Sequence, residues 1–456
     1  MKIVLVDPYP SVPWRVSKDT SGGYGTSNRF GEGIFAAFMT RAMSTKMDWP
    51  PVDCAYLLGA LRDRGHTVSY SRDWRDAKGS DLCFVRSSIV AHETEIAAIR
   101  SIKAEGIRVG AIGPFATNVP KPYLDAGDFV IGGEAEMYAC NRDITPQTLP
   151  GLTGYVAAGL SLDIDKLPLP AWDLIWGVAK PKFSLLGRFS KILPIQATRG
   201  CPYSCFEYCV YPLQQGRKVR KRSPEAVVSE MAHWQDTLGV DLFIFRDPVF
   251  SIDRSHTMAL CDEIERSGRK FRFIAETHLN NLDVELASRL KQVGLIMLKV
   301  GIESINDAAI QGSHRFSIAQ ELQKQRIAEI ERLGLSLTCF YILGYPDDTP
   351  QSFGRTMEYA QQINSIFAQI SVFTPYPGTP AFKQYEDRIA VGKYENFTQY
   401  DLVFPHKAFS PSELRRALGK AYRRYYLRPR WIYKFIRAQV ATSFGRSDAF
   451  AERANK

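Results

Sequence analysis

Cys201, Cys205 and Cys209 fall in one short run, Arg199-Gly200-Cys201-Pro202-Tyr203-Ser204-Cys205-Phe206-Glu207-Tyr208-Cys209. Clustered thiols in a chain without a secretion signal point to metal or redox chemistry rather than to disulfides. A structural zinc ion needs four close ligands, and no further His or Cys stands nearby. A four-iron cluster on three thiolates, by contrast, leaves one iron open to a ligand that brings its own donor atoms. The remaining cysteines, Cys54, Cys83, Cys140, Cys261 and Cys339, are scattered singly and read as buried small hydrophobes.

The cysteine run must be held by the elements around it. The chain has 456 residues, 45% hydrophobic and 23% charged, which is the composition of a folded protein of two or three domains. No stretch approaches the roughly 18 unbroken apolar residues of a membrane span. The first seven residues read as a buried strand and not as a signal peptide, so the chain is expected in the cytoplasm. The net charge is +10, with much of the excess in residues 217–222 and 415–437. No nucleic-acid motif accompanies it, so no nucleic-acid partner is expected.

Residues 1–140 alternate strand and helix. Strands are predicted over 2–7, 67–70, 82–86, 108–112 and 129–131, and helices over 50–64 and 93–105. Such alternation implies a parallel sheet covered by helices, with ligands at the carboxyl ends of the strands. Residues 141–190, with Pro146, Pro150, Pro168 and Pro170, read as a linker. Residues 15–48 hold Gly22, Gly23, Gly25, Gly31 and Gly33 and no clear strand; they fit a long loop over a ligand or an irregular segment equally well. Residues 191–380 give a second alternation, with strands over 192–198, 241–246, 271–276, 296–302, 336–343 and 367–373. Six βα repeats predict a partial barrel whose chemistry lies at the strand C-terminal ends. Residues 381–456 form a C-terminal helical region, and Ser410-Pro411-Ser412-Glu413 is a helix start.

The cysteine run resembles the cluster loop of the radical S-adenosylmethionine (SAM) superfamily. The usual family spacing is Cys-x3-Cys-x2-Cys; here it is Cys-x3-Cys-x3-Cys, with one extra residue, Phe206, between the second and third cysteines. Tyr208 keeps the aromatic position before the last cysteine, near which the family places the adenine. Further family-like segments end the later strands. They are Phe245-Arg246-Asp247-Pro248-Val249-Phe250, Glu276, Gly301-Ile302-Glu303-Ser304, Gly344-Tyr345-Pro346-Asp347-Asp348-Thr349 and Thr374-Pro375-Tyr376-Pro377-Gly378-Thr379-Pro380. The resemblance spans residues 190–380. It implies a [4Fe–4S] cluster on Cys201, Cys205 and Cys209, and SAM bound near Tyr208, Asp247, Glu276, Gly301 and Glu303. It also implies cleavage of SAM to a 5′-deoxyadenosyl radical, with electrons from a donor such as flavodoxin or ferredoxin.

Pro51-Val52 through Leu61-Arg62, followed by Gly65-His66-Thr67-Val68, resembles the Rossmann-like cobalamin-binding domain found before many such barrels. Gly113 and Thr117, and Gly132 and Gly133, fall at its glycine turns, where small residues let the backbone approach a corrin. The Asp-x-His-x-x-Gly box of cobalamin enzymes is absent, and His66 reads as structural. The resemblance implies cobalamin as a cofactor and methylation of an unactivated carbon in a small molecule that the sequence does not name. Two other readings stay open: a SAM-only radical rearrangement or cyclisation, and a non-catalytic binding protein with a degenerate cluster loop. In the tail, Trp431, Ile432, Phe435 and Ile436 recur at helical spacing beside Arg430, Lys434 and Arg437. That pattern suits a helix packed on the barrel or one in peripheral contact with an anionic membrane.

Overall fold

The computed structural model describes residues 1–44, 47–179, 182–183, 189, 191–389 and 394–443. In the first domain, β1 (Lys2–Val6), β2 (Thr67–Ser71), β3 (Leu82–Arg86), β4 (Arg108–Ile112), β5 (Phe129–Gly133) and β6 (Gly154–Gly159) form one sheet in the order β2-β1-β3-β4-β5-β6. All five pairings are parallel. The central strands are apolar apart from Lys2 at the start of β1 and Arg86 at the end of β3, as parallel strands covered on both faces must be. Between them run α2 (Val52–Asp63), α3 (His92–Ala104) and α4 (Ala135–Asn141), preceded by α1 (Ile34–Met43).

β6 corrects the reading of residues 141–190 as a linker: the first domain extends to residue 159. Its sequence, Gly-Tyr-Val-Ala-Ala-Gly, is short, flanked by glycine and half exposed, and it pairs along one side only. It therefore lacks the apolar content that marks an inner strand.

The glycine-rich segment 15–48 is also more than loop. Val16–Ser17 pairs antiparallel with Thr26–Ser27, a 3-10 turn spans Ser21–Gly23, and α1 follows. Lys18 of this segment is fully buried and lies 2.7 Å from both Asp7 and Glu95. It also donates to the carbonyls of Pro8 and Arg86. These groups sit at the carboxyl ends of β1 and β3, where the strand order reverses and sheets of this kind take their ligands.

The second domain is an open barrel. β7 (Ile192–Ile195), β8 (Leu242–Phe245), β9 (Phe273–Thr277), β10 (Leu295–Glu303), β11 (Ser336–Leu343) and β12 (Phe367–Val372) lie in chain order, all parallel. The intervening helices include α5 (Pro224–Leu238), α6 (Arg254–Arg266), α7 (Val284–Gln292), α8 (Gln320–Arg332) and α9 (Pro350–Ile363). Ser223, Asp253 and Asp283 cap α5, α6 and α7 by accepting backbone N–H bonds, the expected use of Ser and Asp there. At the amino ends of the strands, Ile192, Leu242, Ile244, Ile274 and Met297 join Trp49 and Phe183 in a small apolar cluster of their own.

An open barrel leaves an edge strand with unpaired backbone groups. α10 (Pro411–Tyr426) covers the β12 edge. The Tyr422 hydroxyl accepts from the N–H of Ile370 and donates to its carbonyl, at 2.9 and 2.8 Å. Tyr426 does the same for Ala368, and Tyr425 donates to the Ser365 carbonyl. α11 (Pro429–Ser443) then packs beside the same strand. The Trp431 indole donates to Ile366, and Phe435 lies against Phe367. Ile432, Tyr433 and Ile436 stay exposed, so the apolar residues of this helix divide between barrel and solvent. Residues 444–456, read with the tail, lie outside the described residues.

Candidate functional site

The cysteine loop leaves the first barrel strand. Gly200 has φ +96°, and a Cβ there would strike the Lys218 backbone, so the turn into Cys201 requires glycine. The Cys201 N–H donates to Gly216. A 3-10 turn over Cys205–Glu207 absorbs the extra residue of the spacing, and the Cys209 N–H closes back on the Cys205 carbonyl at 3.1 Å. Cys201 and Cys205 are buried and Cys209 half-buried. A hydrogen bond from the Cys209 thiol holds the Cys205 thiol down, to about 7, while that bond and burial push the Cys209 thiol up, and burial pushes Cys201 up. A thiolate is the form that ligates iron.

Above the loop stands the end of β10. Glu303 occupies the left-handed region at φ +68°, where the β10–β11 register shifts. Such strain in a non-glycine residue costs about 1–3 kcal/mol and persists where the surroundings dictate it. Its carboxylate faces Arg315 at 3.3 Å, while Oε2 is buried without a hydrogen-bond partner among the described residues. Burial pushes the carboxyl of Glu303 up; Arg315 opposes the shift, and Glu276 adds to it. Arg315 also donates to the Gly301 carbonyl, and a Cβ on Gly301 would crowd both Glu303 and Arg315. The Tyr208 ring packs against Tyr345 and Phe373. Arg315 and Glu303 both act electrostatically on Cys205. Tyr208, Gly301, Glu303 and the cysteines therefore converge.

Of the other expected residues, Asp247, Thr117 and Gly132 are held by contacts within the protein. Asp247 accepts hydrogen bonds from the N–H groups of Ala197 and Thr198 and from the Thr198 hydroxyl. Its carboxylate is thus spent on holding the chain just before the cysteine loop. Thr117 donates to the Gly113 carbonyl and accepts from the Gly133 N–H, tying the two glycine turns together. Gly132 is required by Tyr155 of β6, whose ring occupies the place a Cβ would take. Glu276 lies one strand from Glu303, in register with Lys299.

Gly113 and Gly133 do face a cleft between the two domains, opposite Arg199, Tyr211 and Gln214. Both glycines have positive φ, +101° and +92°. The domains are joined across this cleft by ions. Arg199 lies 3.2 Å from Glu134 and 2.6 Å from Glu136, and Arg220 lies 2.8 Å from Glu134. Burial is the largest influence on both carboxyls. The guanidiniums outweigh it at Glu134, which is held down, but not at Glu136, which is pushed up. Arg315, Arg199 and Lys18 escape sequence reading because none sits in a periodic or motif position relative to its partner.

Residues 195–360 match the model of the radical SAM superfamily. That match covers most of the barrel, and over these residues the chain is similar to the radical SAM superfamily. An uncharacterised methyltransferase of Pyrococcus horikoshii is 24% identical over 423 residues, covering 85% of this chain and 90% of that one. Bacteriochlorophyllide d C-12(1)-methyltransferase of Chlorobaculum tepidum is 27% identical over 242 residues, 52% of each chain. Hopanoid C-2 methylase of Rhodopseudomonas palustris is 24% identical over 301 residues, 64% of this chain and 55% of that one. The chain thus spans about half the length of the latter two. Among solved structures, the radical SAM methyltransferase TsrM of Kitasatospora setae, with cobalamin and a [4Fe–4S] cluster bound, shares the fold with a TM-score of 0.63 at 17% identity. That match covers 94% of this chain and 89% of that one. The cobalamin-dependent radical enzyme OxsB shares it with a TM-score of 0.67 at 9% identity, over 98% and 71%. Both likenesses extend across the first domain and the barrel together.

Proposed function

We propose that this enzyme methylates an unactivated carbon of a small molecule, using a [4Fe–4S] cluster, SAM and cobalamin. The observation that carries the reading is the convergence of Cys201, Cys205 and Cys209 below a buried carboxylate, Glu303, that still has an unpartnered oxygen. Three thiols fit a cluster with one open iron, which when bound supplies the electron that cleaves SAM. Glu303 Oε2 fits a ribose hydroxyl or an ammonium, and Arg315 holds the carboxylate in place. Tyr208 offers a ring face for the adenine.

On this reading the cleft lined by Gly113 and Gly133 receives the edge of a corrin. None of the residues lining it is a histidine, so cobalt would take no imidazole from that wall. The relatives that methylate hopanoid and bacteriochlorophyllide carbons support this reading. SAM-only radical chemistry is favoured by one feature: the switch-point crevice of the sheet is filled by Lys18 with Asp7 and Glu95. A flavodoxin or ferredoxin would supply electrons. No helix among the described residues is long and apolar enough to cross a membrane; peripheral contact through Ile432 and Ile436 of α11 is part of the proposal.

The test is anaerobic reconstitution with iron, sulfide, cobalamin, SAM and a reductant. Formation of 5′-deoxyadenosine together with S-adenosylhomocysteine is expected. Formation of 5′-deoxyadenosine alone, with no corrin absorbance retained, would favour the SAM-only reading.

A further inference from the structure

The barrel lumen holds a lysine that the cluster and SAM chemistry do not use. Lys299 lies on β10, between Met297 of the apolar floor and Gly301 beside Glu303. Alternate residues of a strand share a face, so Lys299 points into the lumen with them. At about 3.3 Å per residue it stands roughly 13 Å below Glu303. Its ammonium lies 5.5 Å from the Trp49 ring centroid. Among the described residues it makes no hydrogen bond and no ion pair, although it has three N–H donors.

The groups around it are polar. Glu276 is its register partner on β9. Arg246 is already paired with Asp19 at 2.9 Å, and Arg15 lies 5.9 Å from the same Trp49 ring. On β12, the side-chain amide of Gln369 donates to the Ser371 hydroxyl. Lys299 is half-buried, and in a lumen built for an apolar hydrocarbon its ammonium would lose water without gaining a hydrogen-bonding partner.

We propose that Lys299 receives an oxyanion of the substrate, a carboxylate or a phosphate, at the floor of the barrel. The substrate is accordingly an anionic, hydrogen-bonding molecule that stands on Lys299 and presents its reacting carbon toward the cluster. This rests on the reading of the barrel as the site of radical chemistry. Burial, with Arg246 and Arg15 adding to it and Glu276 and Asp19 opposing it, lowers the lysine to about 8. The neutral amine is then available for chemical labelling near that pH.

The test labels the anaerobically reconstituted full-length protein with pulses of acetic anhydride from pH 7 to pH 10, read by peptide mass spectrometry. Lys299 should reach half-maximal reactivity near pH 8, whereas surface lysines titrate near 10.4. Inorganic phosphate or acetate should slow its acetylation about threefold once the anion stands at about twice its dissociation constant. The two anions run as separate arms to tell phosphate from carboxylate, with chloride at equal ionic strength as the reference. Lys299 titrating with the surface lysines, or reacting equally under all three salts, overturns the proposal. Labelling needs no turnover, so absence of methylation would count against the proposed function without touching this result. A Lys299→Met variant with normal iron content should lose the anion-protected peptide signal and leave the reactivity of the other lysines unchanged.

Discussion

Glu303 Oε1 lies 3.3 Å from Arg315 Nη1, while its other oxygen, Oε2, is buried and accepts no hydrogen bond from any described residue. A carboxylate held on one side and open on the other is a ready acceptor for a ligand hydroxyl or ammonium. Glu303→Ala should therefore weaken SAM binding about tenfold or more, since a charge-assisted hydrogen bond contributes roughly 1.5–3 kcal/mol. Equilibrium binding of SAM to the iron-loaded protein measures this. Iron content should be unchanged, and unaltered affinity would assign Glu303 to packing alone.

Replacing Cys201, Cys205 or Cys209 with alanine should abolish iron loading and 5′-deoxyadenosine formation. Iron and sulfide assays after anaerobic reconstitution decide it. A full cluster in the Cys209→Ala protein would show that another residue supplies the third ligand.

Asp247 is expected to act on stability rather than on SAM. Burial pushes its carboxyl up to about 6, with the hydrogen bonds from Thr198 and Ala197 opposing the shift. The folded state thus binds a proton that the unfolded state has released between its ordinary value of 3.8 and about 6. Stability contributed by this group falls as pH rises through that window. Asp247→Asn should lower the thermal midpoint, because one acceptor oxygen becomes a donor facing Ala197 or Thr198, and should flatten the pH dependence over the window. Scanning calorimetry across pH 4–7 reads both. A variant of unchanged stability that no longer bound SAM would return Asp247 to the cofactor site.

The tyrosines of α10 should matter through their hydroxyls. Tyr422→Phe with Tyr426→Phe leaves the N–H and C=O groups of Ile370 and Ala368 without their partners. Each stranded buried group costs about 1–3 kcal/mol, so the double variant should unfold at clearly lower denaturant concentration. An unchanged midpoint would mean that water reaches the edge of β12.

Neutralising the cation between the domains should separate coupling from chemistry. Arg199→Met removes the ion pairs to Glu134 and Glu136; Arg220 still faces Glu134, so Glu136 is the buried carboxylate left uncompensated. Loss of one partner of a buried pair typically costs about 3–5 kcal/mol. Thermal unfolding should fall in midpoint, and limited proteolysis between the two sheets should quicken.

The sequence by itself determined the two α/β units and most of their strands, because parallel strands buried on both faces leave continuous apolar runs. It also determined the cysteine loop and the strand-end position of Glu303, which are local features of type and spacing. β6 stayed hidden because an edge strand such as Gly154–Gly159 needs little apolar content. Which polar residues face a ligand was decided by the tertiary structure alone. Asp247 and Glu303 look alike in sequence, both acids at strand ends. Yet the chain before the cysteine loop consumes both oxygens of Asp247, while the arrival of Arg315 leaves one oxygen of Glu303 free. The partners of these groups come from other strands and loops, and spacing along one chain carries no record of such meetings.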